Sequence, residues 1–301
     1  MKFNLAFLLL VAMNLLKLDC IANEIDLIKN DSDVISFFKQ NFENYKDIKL
    51  SFPTPKSEIE RLHDSLKTVN WYKVDFDDNG ETDILIFNLF PVNKIFAVIA
   101  DDGTFRKIEA SCERQYDALY PVILNINNET LILCHNQNRI EFDVVNKRYL
   151  YTNLECDTLI FKNNYFLTYI QNPKQYAIDS IDIENDGQCE GTCPQIFISI
   201  NCKTYASACD KNVMRNNRNQ NYTATLSKEE IQRIVEMLQY SNFSEYNDYY
   251  EIPYTDQPTA WITIFYDGGK SKKIELYGYS GPCTLMEIYK YAVNCDWKEK
   301  Y

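Results

Sequence analysis

The sequence predicts an α+β fold, divided into two domains that follow a short leader. Apolar residues at helical spacing come first, in residues 32–42 and 56–69. Strand-like apolar runs separated by turn-rich segments follow, and beyond residue 176 strands and helical stripes alternate. With 301 residues, 46% of them apolar, the chain has enough material for about two hydrophobic cores.

The first 22 residues have the features of a secretory signal peptide. Lys2 gives a positive start, an apolar run extends over residues 5–13, and the small residue Ala22 provides a cleavage position. No later stretch reaches the roughly 18 apolar residues that a transmembrane helix requires. We therefore expect a secreted or periplasmic protein without a transmembrane anchor.

The overall charge narrows the choice of partners. Acidic residues outnumber basic ones, 43 to 31, for a formal net charge of −12. Binding to phosphate backbones depends on clustered lysine and arginine, so nucleic acid is excluded as an expected partner. An extracellular protein or a carbohydrate remains.

The N-terminal domain is expected to span residues 23–172. Its two helices precede an antiparallel β-meander, in which polar segments such as Asp101–Thr104 mark the turns. The polar stretch Gln171–Gln175, which contains a proline, is the expected boundary.

The C-terminal domain, residues 176–301, is expected to be smaller and ββαββα-like. Ser227 and Glu230 form the signature of a capping box at the start of an amphipathic helix. A hairpin is predicted around Asp267–Gly269, and a last helix is predicted to start near Pro282.

This half resembles a bacterial secreted domain family of unknown function. The signature is C-x-G-x-C-P followed by a strand, with a later P-x-x-L at a helix start, and the similarity covers roughly residues 177–297. The matching residues are Cys189, Gly191, Cys193, Pro194, Pro282 and Leu285. The chain departs from the family at Glu190, where an aromatic residue is usual, and at residues 201–209, where the family turns on Asp-Gly. The resemblance implies an architecture and a compartment, but no activity.

The stretch DFDDNGETD, residues 75–83, is the main candidate for a metal site. Its polar residues have the spacing D-x-D-x-N-G-x-x-D, in which alternate oxygens on a tight loop converge on one hard cation. The expected ligands are Asp75, Asp77, Asn79, the carbonyl of Glu81, and Asp83. Since Ile86 replaces the bidentate Glu of an EF-hand and the flanks are strand-like, the stretch looks like the short calcium loops between strands of extracellular proteins.

A tight hairpin turn is an equally weighted alternative for the same stretch. Asn79 and Gly80 alone favour such a turn. A turn does not explain why three acidic side chains are crowded together, whereas a divalent cation would relieve their repulsion. Calcium would then be a structural cofactor.

The cysteines suggest an oxidised turn and at least one free thiol. Of ten cysteines, Cys20 lies in the leader, which leaves an odd number in an oxidising compartment. Cys189 and Cys193 are expected to form a disulfide; a zinc site with two further cysteines is the weaker alternative. Cys283 and Cys295 are too far apart along the last helix, roughly 18 Å, to pair. Lipidation of Cys20 is disfavoured, because the residues before it are not small.

A tyrosine-rich connection in residues 240–258 is a candidate binding surface. Its tyrosines stand among Ser, Asn, Asp and Glu, a mixture that combines rigid aromatic contact with adaptable hydrogen bonding. The expected contact residues are Tyr246, Tyr249, Tyr250 and Tyr254. The alternative is a connection whose tyrosines pack on the domain.

The sequence contains no motif that combines a nucleophile with a base. The only histidines, His63 and His135, lie in apolar patterns typical of core or edge positions. The expected function is therefore a non-catalytic binding or structural protein, which calcium would stabilise if the loop at residues 75–83 binds it. A hydrolase with a site assembled from residues distant in sequence is the alternative.

Overall fold

The computed structural model describes most of the chain from Asn23 onwards. The described residues are 23–43, 49–50, 69–87, 89–90, 95–109, 118–127, 129–137, 139–143, 148–151, 155–162, 164–186, 195–203, 207–215, 218–252 and 256–299. Within them the protein is mostly antiparallel β-sheet with three α-helices, in agreement with a coarse α+β or mostly-β class. None of these described helices is both long and apolar enough to cross a membrane.

The elements are numbered in chain order. The helices are α1 (Asp31–Asn41), α2 (Lys228–Gln239) and α3 (Cys283–Val293). The strands before residue 175 are β1 (Lys49–Leu50), β2 (Trp71–Val74), β3 (Asp83–Ile86), β4 (Leu89–Phe90), β5 (Phe96–Asp101), β6 (Thr104–Glu109), β7 (Ala118–Ile126), β8 (Glu129–Gln137), β9 (Arg139–Asp143), β10 (Arg148–Tyr151), β11 (Glu155–Lys162) and β12 (Tyr165–Thr168). The later strands are β13 (Ile178–Asn185), β14 (Gln195–Asn201), β15 (Ser207–Arg215), β16 (Arg218–Leu226), β17 (Tyr249–Tyr250), β18 (Thr259–Tyr266), β19 (Lys270–Tyr277) and β20 (Lys298–Glu299).

The first compact unit combines described residues up to Leu50 with those from Val69 to Ile108. Helix α1 is present as predicted, because Asn30 caps it and Val34, Phe37 and Phe38 form its buried face. That face belongs to the same core as β3 and β5 of a four-stranded sheet, in which the order is β2-β3-β5-β6. The second predicted helix, residues 56–69, lies almost wholly outside the described residues.

The second unit contains the described residues from Glu109 onwards. It has a four-stranded sheet of order β12-β11-β8-β7 and an eight-stranded sheet of order β17-β19-β18-β13-β14-β15-β16-β20. Leu131 and Leu167 of the smaller sheet share one buried core with Ile181, Ile234 and Leu285. The predicted boundary at 171–175 therefore differs from the boundary between the compact units, which falls near residue 109.

Both helices of the second unit follow the sequence prediction closely. Ser227 accepts a hydrogen bond from the backbone N–H of Glu230, whose carboxylate accepts one from the N–H of Ser227. Helix α3 begins directly after Pro282 and buries Leu285 and Ile288. Four strands precede α2, however, where the sequence predicted two; β15 and β16 are the additional pair.

Turn glycines show where backbone conformation limits substitution. Gly278 and Gly268 have almost the same left-handed φ, +68° and +69°. A Cβ on Gly278 would lie 2.4 Å from Cδ1 of Ile252, whereas nothing lies within 4 Å of a Cβ on Gly268. Both positions share the cost of a side chain at positive φ, and only Gly278 adds a steric clash.

We expect Gly278→Ala to destabilise the protein more than Gly268→Ala. The matched control bears only the roughly 1 kcal/mol of left-handed strain, while Gly278→Ala must also displace Ile252. Chemical denaturation of both variants measures the two free energies of unfolding. Equal losses would show that the clash at Ile252 is absent in solution.

Candidate functional site

The acidic stretch is a long loop between two paired strands. Val74 of β2 pairs with Asp83 of β3, so the eight residues 75–82 form the connection. A two-residue hairpin turn at Asn79 and Gly80 is therefore not what joins these strands. The loop is long enough to bring several of its oxygens to one point.

Three of the predicted ligands do come together. Carboxylate oxygens of Asp75, Asp77 and Asp83 all lie within 4.8 Å of one another. Calcium takes oxygen ligands at 2.3–2.6 Å, so two ligands on opposite sides of one ion are about 4.8 Å apart. The cluster therefore has the dimensions that a single calcium ion requires.

Asp83 is the fixed member of the cluster. Its side chain is fully buried, and its two oxygens accept hydrogen bonds of 2.8 Å from the backbone N–H groups of Phe76 and Ala100. These contacts join the loop to the end of β5. Because both oxygens are held, Asp83 cannot rotate away from the other carboxylates.

Asp75 has one oxygen that protein groups leave unsatisfied. Its Oδ2 accepts from the N–H of Gly80 at 3.0 Å, while its Oδ1 is buried and has no hydrogen-bond partner. A buried oxygen without a donor is costly unless a cation or water satisfies it. Asp77 completes the cluster from the solvent side, where it is exposed.

Asn79 and Glu81 have roles in the loop that the spacing did not indicate. The Asn79 amide donates to the carbonyl of Ala100 at 2.8 Å, and its oxygen accepts from the N–H of Glu81 at 2.7 Å. The Glu81 carboxylate accepts from the N–H of Asp102 at 3.2 Å. Both side chains thus tie the loop to neighbouring backbone, and their predicted place as ligands stays a prediction.

The electrostatics of the cluster follow from burial and crowding. Burial raises the pKa of Asp83 from 3.8 to about 7, despite its two backbone hydrogen bonds, and the charges of Asp77 and Asp75 add to the effect. Burial also raises the pKa of Asp77, with contributions from Asp75 and Asp101. Asp101, at the end of β5, was missed by the sequence analysis because it belongs to a different hairpin.

The raised pKa of Asp83 predicts a pH dependence in the metal-free protein. The carboxyl of Asp83 keeps its proton up to about pH 7 in the folded state, whereas it loses the proton near pH 3.8 in the unfolded state. Its contribution to the free energy of unfolding is therefore greatest below about pH 4 and is lost as the pH rises to about 7. Asp83→Asn cannot titrate. In the presence of a chelator, the amount by which wild type is more stable than Asp83→Asn should therefore be smaller at pH 8 than at pH 5. Thermal melts of both proteins at the two pH values measure this difference. A deficit that stays constant would contradict the raised pKa.

The tyrosine-rich connection divides into buried and exposed parts. Tyr246 and Tyr250 pack against the core of the second unit, and burial raises the pKa of Tyr246 to about 12. Tyr249 is 47% exposed and donates a hydrogen bond to Glu251 at 2.8 Å. Tyr254 lies outside the described residues. The packing of Tyr246 and Tyr250 favours the alternative, in which the tyrosines pack on the domain. Tyr249 is exposed, and its place as a contact residue stays a prediction.

Adjacent tyrosines offer a matched test of this division. Tyr250→Ala should reduce the free energy of unfolding by about 2 kcal/mol, because a ring that packs on the core is removed. Tyr249→Ala should change it by less than about 0.5 kcal/mol, since the ring is exposed. Denaturant melts of the two variants measure both values, and a larger loss for Tyr249→Ala would reverse the assignment.

The cysteines partly match the expectation. Cys134 and Cys156 are free, which confirms that unpaired thiols are present. Cys283 is disulfide-bonded and Cys295 is not, so the two do not pair, as predicted. The predicted pair Cys189 and Cys193 lies outside the described residues.

The two histidines were predicted to lie at core or edge positions. His63 lies outside the described residues. His135, on β8, is half-buried, and burial lowers its pKa.

Comparison with known families concerns the second unit. Residues 179–295 match the family described as Domain of unknown function (DUF6438). This part of the chain is a DUF6438 domain. The match begins inside β13 and ends just after α3, so the DUF6438 domain includes most of the eight-stranded sheet and both of its helices. Comparisons with curated proteins and with solved structures found no match.

The match confirms the resemblance to a domain family of unknown function in this half of the chain. It leaves the Asp75–Asp83 loop outside the DUF6438 domain. The candidate metal site therefore belongs to the first unit and has to be judged on its own geometry.

Proposed function

We propose that this protein is an exported, non-catalytic binding or structural protein whose loop 75–83 binds calcium. The observation that carries the proposal is the convergence of three carboxylates within 4.8 Å. One of them, Asp83, is fully buried. A cation supplies what this arrangement lacks, namely positive charge at the point where the oxygens meet.

Neighbouring side chains do not neutralise the cluster. Among the described residues, no lysine or arginine forms an ion pair with Asp75, Asp77 or Asp83. Burial and, to a smaller extent, the neighbouring like charges raise the pKa values of Asp77 and Asp83. Calcium would ionise the carboxyls and turn their repulsion into coordination.

The expected affinity is low. Ile86, at the position where an EF-hand has its bidentate Glu, is fully buried in β3, so this position supplies no ligand. Fewer charged ligands place the dissociation constant in the weak extracellular range, roughly 10⁻⁴ to 10⁻³ M. Such a site would fill where calcium is millimolar, which agrees with the signal-peptide-like start.

A structural role fits the position of the loop. Asp83 starts a strand whose four residues are all buried, and its carboxylate contacts the end of β5. An ion at this point would connect the loop to two core strands of the first unit. Since it binds only the folded state, calcium at tenfold above its dissociation constant would add about 1.4 kcal/mol of stability.

Calcium should therefore raise the melting temperature of the wild-type protein by several degrees at millimolar concentration, and chelator should reverse the change. Asp77→Asn should abolish this response, because it removes a charged ligand while keeping the shape of the side chain. In chelator this variant should be at least as stable as wild type, since one crowded charge is gone.

The matched control is Asp78→Asn. Asp78 is the adjacent exposed aspartate, outside the predicted ligand set, and its left-handed φ of 57° is one that asparagine tolerates. It makes the same change in net charge and should keep the calcium response. No heat in titration calorimetry and an unmoved melting curve at millimolar calcium would refute the site.

A further inference from the structure

The eight-stranded sheet has one face buried by helices and one outer face. Along β13, Ile181 and Ile183 point into the core that contains α2 and α3, whereas Asp182 and Glu184 alternate with them on the other side. The register of the neighbouring strands repeats this division. The outer face can therefore be followed across the sheet, from strand to strand, by its paired residues.

One row of this outer face alternates aromatic and acidic residues. Tyr249 of β17 is opposite Glu275 of β19, which is opposite Trp261 of β18. Trp261 is opposite Glu184 of β13, which is opposite Phe197 of β14. We call these five residues the aromatic row.

The rings of the aromatic row do not serve to pack against one another. Tyr249 and Phe197 are 47% and 41% exposed, among the largest exposed apolar side chains of the described residues. Aromatic residues on adjacent strands usually stabilise a sheet by direct contact. Here a glutamate separates each ring from the next, and no ring contact between described residues involves Tyr249, Trp261 or Phe197.

Polar groups in and beside the aromatic row make few hydrogen bonds and ion pairs with the residues that the structure describes. Glu184 faces Lys273 at 3.9 Å, a distance typical of a loose surface ion pair. Lys273 also lies 5.5 Å from the centroid of the Trp261 ring, and its own side chain is 54% exposed. No described residue accepts a hydrogen bond from the indole N–H of Trp261. The indole N–H of Trp261 is thus available to a ligand.

The spacing of the rings follows from the sheet. Aromatic residues occupy every second strand, and strands lie about 4.8 Å apart, so successive rings are roughly 10 Å apart. Sheet twist turns successive rings by about 40–50° around the row. An extended β-linked glycan presents a ring face at regular intervals and can twist along its length. A flat crystalline surface cannot follow such a twist.

From this placement we propose that the aromatic row binds a single chain of a neutral, β-linked polysaccharide. Aromatic rings stack on the apolar C–H faces of sugars, and the carboxylates of Glu184 and Glu275 accept hydrogen bonds from sugar hydroxyls. The two glutamates of the aromatic row and the net charge of −12 repel polyanions, so anionic glycans and nucleic acid fit poorly. The inference rests on the proposed binding function and names its partner class.

Native affinity electrophoresis of the full exported protein tests the proposal. The gels contain soluble hydroxyethyl cellulose, arabinoxylan or glucomannan, with an alginate gel as the polyanion comparison. At least one neutral glycan should retard the wild-type protein. Trp261→Ala should weaken retardation roughly tenfold, as loss of a central aromatic contact does. Phe197→Ala and Tyr249→Ala should weaken it to a smaller extent.

Two control variants separate the row from general effects. Ile126→Ala removes an exposed apolar side chain of a different sheet and should leave retardation unchanged. Lys273→Ala should also retain it, because a neutral ligand does not depend on the cation. Melting curves show whether each variant is folded. If Trp261→Ala misfolds, Phe197→Ala and Tyr249→Ala, whose rings are exposed, decide the matter.

Three results would overturn the proposal. These are no retardation in any neutral glycan, retardation that Phe197→Ala and Tyr249→Ala leave unchanged, and retardation by alginate alone that Lys273→Ala abolishes. Asp77→Asn, run beside wild type, should keep glycan retardation while it loses the calcium response. Failure of the glycan site is thereby distinguished from failure of the calcium site.

Discussion

The alternation of isoleucine with polar residues along β13 is the constraint on which the second unit depends. Ile181 and Ile183 are fully buried, and each is paired on both sides with an isoleucine of β14 or β18. Because side chains of a strand alternate between faces, this register commits one face of the sheet to the helices and the other to solvent. The burial of α2 and α3 and the composition of the outer face are consequences of that choice.

The first unit is organised around a buried carboxylate. Asp83 begins a strand whose residues are all buried, and its oxygens satisfy backbone N–H groups of the loop and of β5. Burying a carboxyl is unfavourable unless hydrogen bonds, a proton or a cation compensate it. The two hydrogen bonds are present, and the raised pKa of Asp83 reports the remaining cost. A cation at the same point would offset that cost and would also satisfy Oδ1 of Asp75.

The two proposed roles belong to different parts of the chain. The calcium loop belongs to the first unit, whereas the aromatic row belongs to the DUF6438 domain. The loop is proposed to contribute through stability, because Asp83 connects the loop to the end of β5. The row is proposed to contribute through an exposed surface, because Tyr249 and Phe197 are exposed. A protein of this kind would keep its binding face independent of the element that stabilises its other unit.

Local signals in the sequence determined several elements completely. The capping box at Ser227 and Glu230, the hairpin at Asp267–Gly269 and the helix after Pro282 depend on residues close together in the chain, and all three are present. The aspartate spacing likewise identified three carboxylates that converge. Each of these features is decided by contacts over fewer than ten residues, which a sequence pattern records directly.

Tertiary structure decided what depends on distant pairing. Strand β15 has only scattered apolar residues and the first half of β16 is polar, so neither shows a clear apolar period along its whole length. Backbone hydrogen bonds of β15 to β14 and of β16 to β15 place them in the sheet. Asp101 approaches the aspartate loop only because β5 pairs with β3. The parallel pairing of β17 with β19 turns Tyr250 inward and Tyr249 outward. The sequence alone does not encode which face of a sheet a residue occupies, because register across strands far apart in the chain sets it.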